Sequence, residues 1–338
     1  MWASQNAKLP PTDAESDPIA LGSLCSVATG CRGSRSVKRS KRLRLTCVGI
    51  VVVALGAWSP SPVAPSADET NVVLVGAGDI ADCRDLSGAE ATAKLLDRIQ
   101  GIVIAFGDLG CPNGSHADFG QCYAPTWGRH RARTRPSLGN HEYQTAHAAG
   151  YFDYWGEQAG DRDKGYYSYE AGAWHVVVIN SNCAEIGGCQ VGSPQERWLR
   201  ADLQAHPTAC TLAYWHHPLF SSGVKESHAI HPEMRPIWRA LYEAGAELVL
   251  NGHEHNYERF APQDPDGKPN PTRGIRQIVV GVGGRSFHPL PKATPNSEVR
   301  SDQTFGVLKL TLHPKSYDWE FVPVADRTFT DSGTGVCH

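Results

Sequence analysis

Five short segments of this chain carry side chains of the types that commonly bind metal ions. Each segment follows a hydrophobic stretch or a short turn. In chain order, the segments contain Asp79, Asp108, Asn140-His141-Glu142, His216-His217 and His253-Glu254-His255. Aspartate, asparagine and histidine supply the oxygen and imidazole donors that suit divalent or trivalent transition ions. Glycines beside several of them allow the backbone to turn sharply toward a shared pocket. The sequence therefore offers the ligands of a metal centre.

Taken singly, each segment has an ordinary structural explanation. An aspartate at the end of a strand often caps a turn, and a lone histidine is more often a packing or surface residue than a ligand. His253 and His255 carry a stronger signal, because alternate residues of an extended segment point to the same side. The joint occurrence of five such segments at predicted strand ends indicates one shared metal site.

The hydrophobic pattern predicts elements that would bring the first two segments together. Residues 71–79 and 102–108 are predicted as buried strands, with a helix at 89–99 between them. This order predicts two parallel strands. We therefore expect Asp79 and Asp108 at the C-terminal edge of a sheet, which is where open α/β sheets bind ligands.

The remaining elements deliver the histidine segments. The pattern predicts strands at 173–181, 209–214 and 246–250, and helices at 194–205 and 232–244. A late, largely antiparallel set is predicted at 276–282, 305–312 and 316–322. Two segments rich in Pro, Gly and Asn, 261–274 and 285–303, are predicted as surface loops.

The N-terminal residues differ in composition from the rest. A basic cluster at 38–44 precedes an apolar run at 45–58 and a Ser-, Pro- and Ala-rich stretch at 59–67. This order is typical of a signal peptide, and the apolar run is short for a membrane span, which needs about 20 residues. The sequence predicts a leader at 1–67, a folded domain at 68–338, and a secreted or extracytoplasmic location. Membrane association is expected only if the leader is retained as an anchor.

The charge balance argues against nucleic acid as a partner. Residues 1–67 hold 8 Lys and Arg against 3 Asp and Glu, so 24 of the 32 basic and 32 of the 35 acidic residues lie in 68–338, a net charge of −8. A body this acidic lacks the basic footprint of a nucleic-acid-binding protein. A small phosphorylated substrate remains compatible, because bound metal ions would supply positive charge locally.

Seven of the ten cysteines lie in 68–338, and cysteines of exported proteins mostly pair. Cys183 and Cys189 bracket a short glycine-rich loop and are the first predicted pair. The other predicted pairs are Cys210–Cys337 and Cys83–Cys122, although sequence alone does not fix connectivity. This assignment leaves Cys111 over.

The series of segments resembles the motifs of the calcineurin-like metallophosphoesterase superfamily, and within it those of the purple acid phosphatases. Asp79 and Asp108 stand 29 residues apart, as in that branch, and the run Gly-His-Glu-His-Asn-Tyr-Glu-Arg at 252–259 is similar to its last motif. Ala81 stands where many other members carry histidine. The resemblance covers about 71–322. We accordingly predict an α/β fold, a four-layer sandwich of two mixed β-sheets flanked by helices, with a dinuclear metal site at the C-terminal strand edge.

The resemblance implies a role for each ligand-type residue. Asp108 would bridge two transition-metal ions, which would be iron, zinc or manganese. The other ligands would be Asp79 and His255 for the first ion, and Asn140, His216 and His253 for the second. No organic cofactor is implied.

His141 would contact the leaving oxygen or the phosphate rather than an ion. Two ions clamp a phosphate and lower the pKa of a bound water, so a metal-bound hydroxide would attack a phosphate monoester. His141 would then protonate the departing oxygen. An orienting role for His141 beside the ligands is the alternative.

One position departs from the purple acid phosphatase pattern. That pattern is Gly-Asp-x-x-Tyr with the tyrosine on iron, whereas this chain has Cys111 at the tyrosine position. Cys111 could bind an ion as thiolate, remain a free buried thiol, or pair in a disulfide away from the site. The identity and redox state of the first ion depend on which of these holds.

Several other residues could line the pocket, although each is by default a wall or surface residue. They are Tyr143, His217, His228, His231, Tyr257 and Arg285. The expected function is metal-dependent hydrolysis of phosphate monoesters. A phosphodiesterase or nucleotidase would use the same ligands with different loops. A non-catalytic cell-surface binding protein would be favoured by loss of ligands, and a redox or metal-storage role would depend on Cys111.

Overall fold

The computed structural model describes residues 71–223 and 230–338. The predicted leader at 1–67 and His228 lie outside these residues. The strands of the described part are β1 Val72–Ala77, β2 Ala81–Asp82, β3 Ile102–Phe106, β4 Gly110–Cys111, β5 Thr134–Ser137, β6 Tyr167–Ala171, β7 Trp174–Val178, β8 Cys210–Trp215, β9 Leu248–Asn251, β10 Tyr257–Phe260, β11 Arg276–Val280, β12 Ser297–Ser301, β13 Gly306–His313, β14 Ser316–Pro323 and β15 Ser332–Val336. The α-helices are α1 Ser87–Leu96, α2 His116–Asp118, α3 Ala149–Trp155, α4 Pro194–Ala205 and α5 Arg235–Glu243.

Most of these strands form two mixed sheets. The first has the order β15-β14-β13-β1-β3-β5, in which β1, β3 and β5 run parallel and β13 is antiparallel to β1. The second has the order β12-β10-β11-β9-β8-β7-β6, with β7, β8, β9 and β11 parallel. Two mixed sheets with helices packed against them confirm the predicted α/β fold class.

Alternating side chains explain why the second sheet is covered on both faces. Val176 and Val178 of β7 pack into the core that also holds residues of the first sheet. Val177, between them, packs with Leu199 of α4 and Trp238 of α5. Successive side chains of a strand point to opposite faces, so an apolar run without alternation predicts a strand buried on both sides. Each such side chain contributes about 1.5–3 kcal/mol by burial.

The late part of the chain departs from the prediction in several places. Strands β10 and β15 form where the pattern predicts none. The predicted loop 285–303 contains β12, an edge strand of the second sheet that pairs with β10. Its sequence, Ser-Glu-Val-Arg-Ser, has little apolar alternation because an edge strand is half exposed to water. The predicted strand 276–282 appears as β11, but it pairs parallel with β9 on one side and antiparallel with β10 on the other.

The predicted disulfides are confirmed. Cys83 pairs with Cys122, Cys183 with Cys189, and Cys210 with Cys337. Within residues 71–223 and 230–338, Cys111 is the cysteine left free, and it is buried. In the same described ranges, no helix has the length and apolar character needed to cross a membrane.

Close packing of β1 against β3 generates a stability prediction. A Cβ at Gly76 would lie 1.7 Å from the Ile104 carbonyl oxygen, whereas one at Gly120 would meet nothing within 4 Å. We expect Gly76→Ala to lower the free energy of unfolding by about 1–3 kcal/mol, the usual range for overpacking. Gly120→Ala should change it by less than about 1 kcal/mol. Chemical denaturation measures both, and equal midpoints for Gly76→Ala and wild type would contradict the register of the two strands.

Candidate metal centre

Asp79 and Asp108 follow β1 and β3, each after one intervening glycine, as predicted from the strand–helix–strand pattern. Both have positive backbone angles, with φ of 58° and 53°, and His253 has φ of 71°. Non-glycine residues rarely adopt this conformation, which costs free energy and persists where surrounding structure enforces it. Three of the predicted ligands therefore sit on strained turns that aim their side chains into the space between the sheet edges.

The first group of contacts joins Asp79 to the histidines after β9. The Oδ2 atom of Asp79 accepts a 2.7 Å hydrogen bond from the His253 backbone N–H. Its Oδ1 atom lies 3.1 Å from His255 Nε2. His255 Nδ1 lies 2.6 Å from the Ser286 hydroxyl, which fixes the ring. The imidazole thus presents Nε2 to the carboxylate.

The second group of contacts is centred on His216. Its Nε2 atom lies 3.2 Å from Asn140 Oδ1, 3.2 Å from His253 Nδ1 and 3.4 Å from Asp108 Oδ1. Its Nδ1 atom donates a 2.7 Å hydrogen bond to the Phe106 carbonyl. Because a carbonyl can only accept, the neutral ring leaves the lone pair of Nε2 free to bind an ion. The six predicted ligand residues therefore form one continuous set of contacts.

Charges within this set perturb one another. Burial opposes the charged form of His216, but the carboxylates of Asp108 and Asp79 outweigh burial and raise its pKa to about 9. Burial opposes ionisation of Asp108 as well, yet His216, His141 and Arg285 hold the pKa of Asp108 far below its usual range. Without ions, a protonated His216 neutralises Asp108. A cation bound at His216 Nε2 would displace that proton.

The residues present fit a transition-metal centre. Nitrogen and oxygen atoms of Asp79, Asp108 and His216 lie within 4.8 Å of one another, and so do nitrogen atoms of His216, His217 and His253. The Oδ1 atom of Asp79 is buried and forms no hydrogen bond of acceptable geometry, although His255 Nε2 is near. A buried carboxylate oxygen of this kind needs a partner, and a cation held by mixed oxygen and imidazole donors would be one.

Glu142 supports the site in a way that the sequence did not predict. Its Oε2 atom accepts hydrogen bonds from the backbone N–H groups of Asp108 (2.9 Å) and Gly139 (2.7 Å), and its Oε1 atom accepts from Leu109 (2.8 Å). Gly139 is required there, because a Cβ would lie 2.2 Å from Asp108 Oδ1. Glu142 therefore fixes the turn that presents Asp108. The Asn140-His141-Glu142 run marks this segment as part of the site, but it does not indicate that Glu142 binds the backbone.

His141 lies beside Asp108 and near the solvent. Its backbone N–H donates to Asp108 Oδ1 at 2.9 Å, and its Nε2 atom lies 3.6 Å from Asp108 Oδ2. Its Nδ1 atom donates to the Pro112 carbonyl. The side chain is 20% exposed, against 2% for Asp108. His141 is thus placed where a molecule entering from solvent would meet it.

The other predicted pocket residues divide into two groups. Arg285 lies in the site, with Nη1 3.2 Å from Asp108 Oδ2. The rings of His217 and His231 lie 4.5 and 5.2 Å from that of His253, and Tyr143 lines a cavity of about 340 Å³ beside Asn140. Tyr257 does not line the pocket, because it is buried in the core and donates to Asp331 at 2.7 Å.

The segment predicted as a surface loop at 285–303 contributes residues that the sequence did not single out. The Ser286 hydroxyl contacts His255 Nδ1, and the His288 ring stacks on His255 at 3.8 Å between ring centres. A loop rich in Pro and Gly gives no periodic signal that would distinguish site residues from surface residues.

Cys111 is neither exposed nor paired. Its Sγ atom lies within 4.8 Å of ligand atoms of Asp108 and His141. Burial, reinforced by the nearby Asp108 carboxylate, raises the pKa of the Cys111 thiol well above its usual range. The disulfide alternative for Cys111 is therefore wrong. The other two alternatives, a thiolate that binds an ion and a free buried thiol, are both compatible with this position of Cys111.

Fold and site together define an α/β sandwich with an Asp-, Asn- and His-lined pocket at the C-terminal edges of parallel strands. The sequence profile of the calcineurin-like phosphoesterase family matches residues 63–257. The chain belongs to this family, as its motifs predicted.

Curated relatives place the chain near the purple acid phosphatases. It is 28% identical to purple acid phosphatase 21 of Arabidopsis thaliana over 288 residues, which are 75% of this chain and 63% of the relative. It is 30% identical to purple acid phosphatase 18 of the same plant over 131 residues, 38% of this chain and 29% of the relative. The matches therefore span less than two-thirds of either relative.

Solved structures share the fold. A purple acid phosphatase from yellow lupin seeds superposes with a TM-score of 0.60 at 19% identity, covering 79% of this chain and 54% of that one. A dimetal phosphatase from Danio rerio superposes with a TM-score of 0.53 at 13% identity, covering 77% of this chain and 98% of that one.

The burial of Cys111 predicts its reactivity. Since its side chain is 1% exposed, Cys111 should resist alkylation in the native protein, with or without a chelator, and react once the protein is denatured without reductant. The six disulfide-bonded cysteines should react only after reduction. Peptide mapping of alkylated cysteines measures this. Rapid alkylation of Cys111 in the native protein would contradict its placement.

Proposed function

We propose that this protein hydrolyses phosphate monoesters outside the cytoplasm and uses two transition-metal ions to do so. The observation that carries the proposal is the continuous set of contacts, 2.7–3.4 Å long, that joins six ligand-type residues through their side chains and the His253 backbone N–H. The family membership and the likeness to purple acid phosphatases support phosphoric ester hydrolysis as the reaction.

The contacts support a division of ligands between the two ions. Asp79 and His255 face each other on one side, and their separation of 3.1 Å suits two ligands of one ion. The ring of His216 contacts Asn140, His253 and Asp108 and forms the second set. The second set would be Asn140, His216 and His253, with Asp108 between the two sets as the bridge. Iron, zinc and manganese are all compatible with these donors.

Bound ions would supply charge neutralisation for the phosphate and a lowered pKa for a coordinated water. Side chains of the protein would supply the proton for the leaving group. The hydrogen bond from His141 Nδ1 to the Pro112 carbonyl fixes the ring and leaves Nε2 toward the pocket. A proton on Nε2 could pass to the ester oxygen as it departs. A small phosphorylated molecule is the substrate class that this arrangement favours.

The three disulfides support an extracytoplasmic location, because disulfides persist in oxidising compartments. The proposal on location rests on these bonds together with the leader predicted from the sequence.

The first test of the function removes the proposed bridge. Asp108→Ala should lower kcat by about 10³-fold or more, because the charge stabilisation by both ions depends on it, and should reduce bound metal. Asp161→Ala is the matched control, since Asp161 is a half-exposed surface aspartate that pairs with Lys164. Elemental analysis and a phosphatase assay on both variants measure this. Unchanged turnover in Asp108→Ala would refute the two-ion proposal.

A second test separates proton transfer from metal binding. His141→Ala should keep both ions and lose about 10²-fold or more in kcat on an alkyl phosphate, the scale of general acid catalysis. On 4-nitrophenyl phosphate, whose leaving group needs no proton, the loss should be under about tenfold. Equal losses on the two substrates would show that His141 binds phosphate or orients ligands instead.

A further inference from the structure

The loop after β11 fixes Arg285 against the metal centre through its backbone. The Arg285 backbone N–H donates to the Asp79 carbonyl at 3.1 Å, and Gly283 donates to the Gly78 carbonyl at 2.9 Å. Gly284 between them has φ of 147°, and a Cβ there would lie 2.3 Å from the Ala89 nitrogen at the start of α1. Only glycine fits this turn. Backbone hydrogen bonds therefore fix the position of Arg285 against the turn that presents Asp79.

The side chain of Arg285 is a nearly buried cation among acidic groups. It is 13% exposed, and its Nη1 atom lies 3.2 Å from Asp108 Oδ2. That contact uses one of the five N–H donors of a guanidinium. In the described ranges 71–223 and 230–338, no other side-chain or carbonyl acceptor is hydrogen-bonded to this guanidinium. Arg285 thus has donors available at the mouth of the candidate centre.

Bound ions would change the electrostatic surroundings of Arg285. When Asp108 ligates cations, its negative charge is shared with them and its attraction for Arg285 falls. A guanidinium next to two cations then requires an anion. A phosphoryl group between Arg285 and the ions would be that anion, and the planar fork of donors matches its oxygens.

We propose that Arg285 binds the phosphoryl group of the substrate and gives the site its preference for monoesters over diesters. This rests on the proposed function. A monoester carries three non-bridging oxygens and close to two negative charges at neutral pH, whereas a diester carries two such oxygens and one charge. The third oxygen is the one available to Arg285. In a diester, an uncharged ester group takes that position.

The test uses the full chain loaded with metal, in wild type and in the variants Arg285→Gln and Arg285→Lys. Arg84→Gln is the matched control, because Arg84 pairs with Asp82 near the site but its side chain is 79% exposed. Three quantities are measured: bound metal by elemental analysis, affinity for inorganic phosphate by calorimetry, and kcat/KM on 4-nitrophenyl phosphate and bis(4-nitrophenyl) phosphate.

We expect Arg285→Gln to keep its metal, to bind phosphate roughly 10- to 100-fold more weakly, and to lose a similar factor on the monoester, the scale of one charged hydrogen bond. The diester should lose less than about threefold, Arg285→Lys should be intermediate, and Arg84→Gln should match wild type.

Three results would overturn the inference: unchanged phosphate affinity, equal losses on both esters, or loss of metal from Arg285→Gln. The last would make Arg285 a counter-charge for Asp108 alone. A wild type that binds metal and phosphate but hydrolyses neither ester would refute the proposed function instead, and the phosphate affinities would still decide the role of Arg285.

Discussion

The buried carboxylate of Asp108 is the group on which the arrangement of this site depends. Removing a carboxylate from water costs several kcal/mol unless charged or N–H partners replace the water. Asp108 receives such partners from three separate segments: the His141 backbone, the His216 ring and the Arg285 guanidinium. Glu142 holds the backbone of Asp108 itself. Three segments of the site therefore meet at the Asp108 carboxylate and compensate its charge.

Two sheets position the residues that meet in the site. The first sheet ends in Asp79 and Asp108, and the second delivers His216 after β8 and His253 after β9. Positive φ angles at three of these residues show that the turns are held by their surroundings rather than by local preference. The apolar runs of the parallel strands bury both faces of the second sheet, which gives the strained turns a rigid support.

Much of this was predictable from sequence, and the exceptions have physical reasons. The positions of Asp79 and Asp108 at strand ends are predictable, because the apolar runs of parallel strands are easily recognised in a sequence. The predicted pairs of cysteines proved correct. The sequence names Arg285 as a possible pocket residue, but it does not distinguish Ser286 and His288 from the surface loop around them, since irregular segments carry no periodicity that reports burial. The strand β12 was missed for the related reason that edge strands are half solvated. Glu142 acts by accepting hydrogen bonds from backbone N–H groups. Because nearly every residue has such a group, the sequence does not show which of them Glu142 contacts.

We propose that the six ligand-type residues hold two ions with Asp108 between them. The most direct measurement is an anomalous-scattering crystal structure of the metal-loaded protein. We expect two peaks about 3.5–4 Å apart, the usual spacing of two-metal sites, with Asp108 touching both. A single ion, or ions bound away from Asp79, Asp108 and His216, would contradict it.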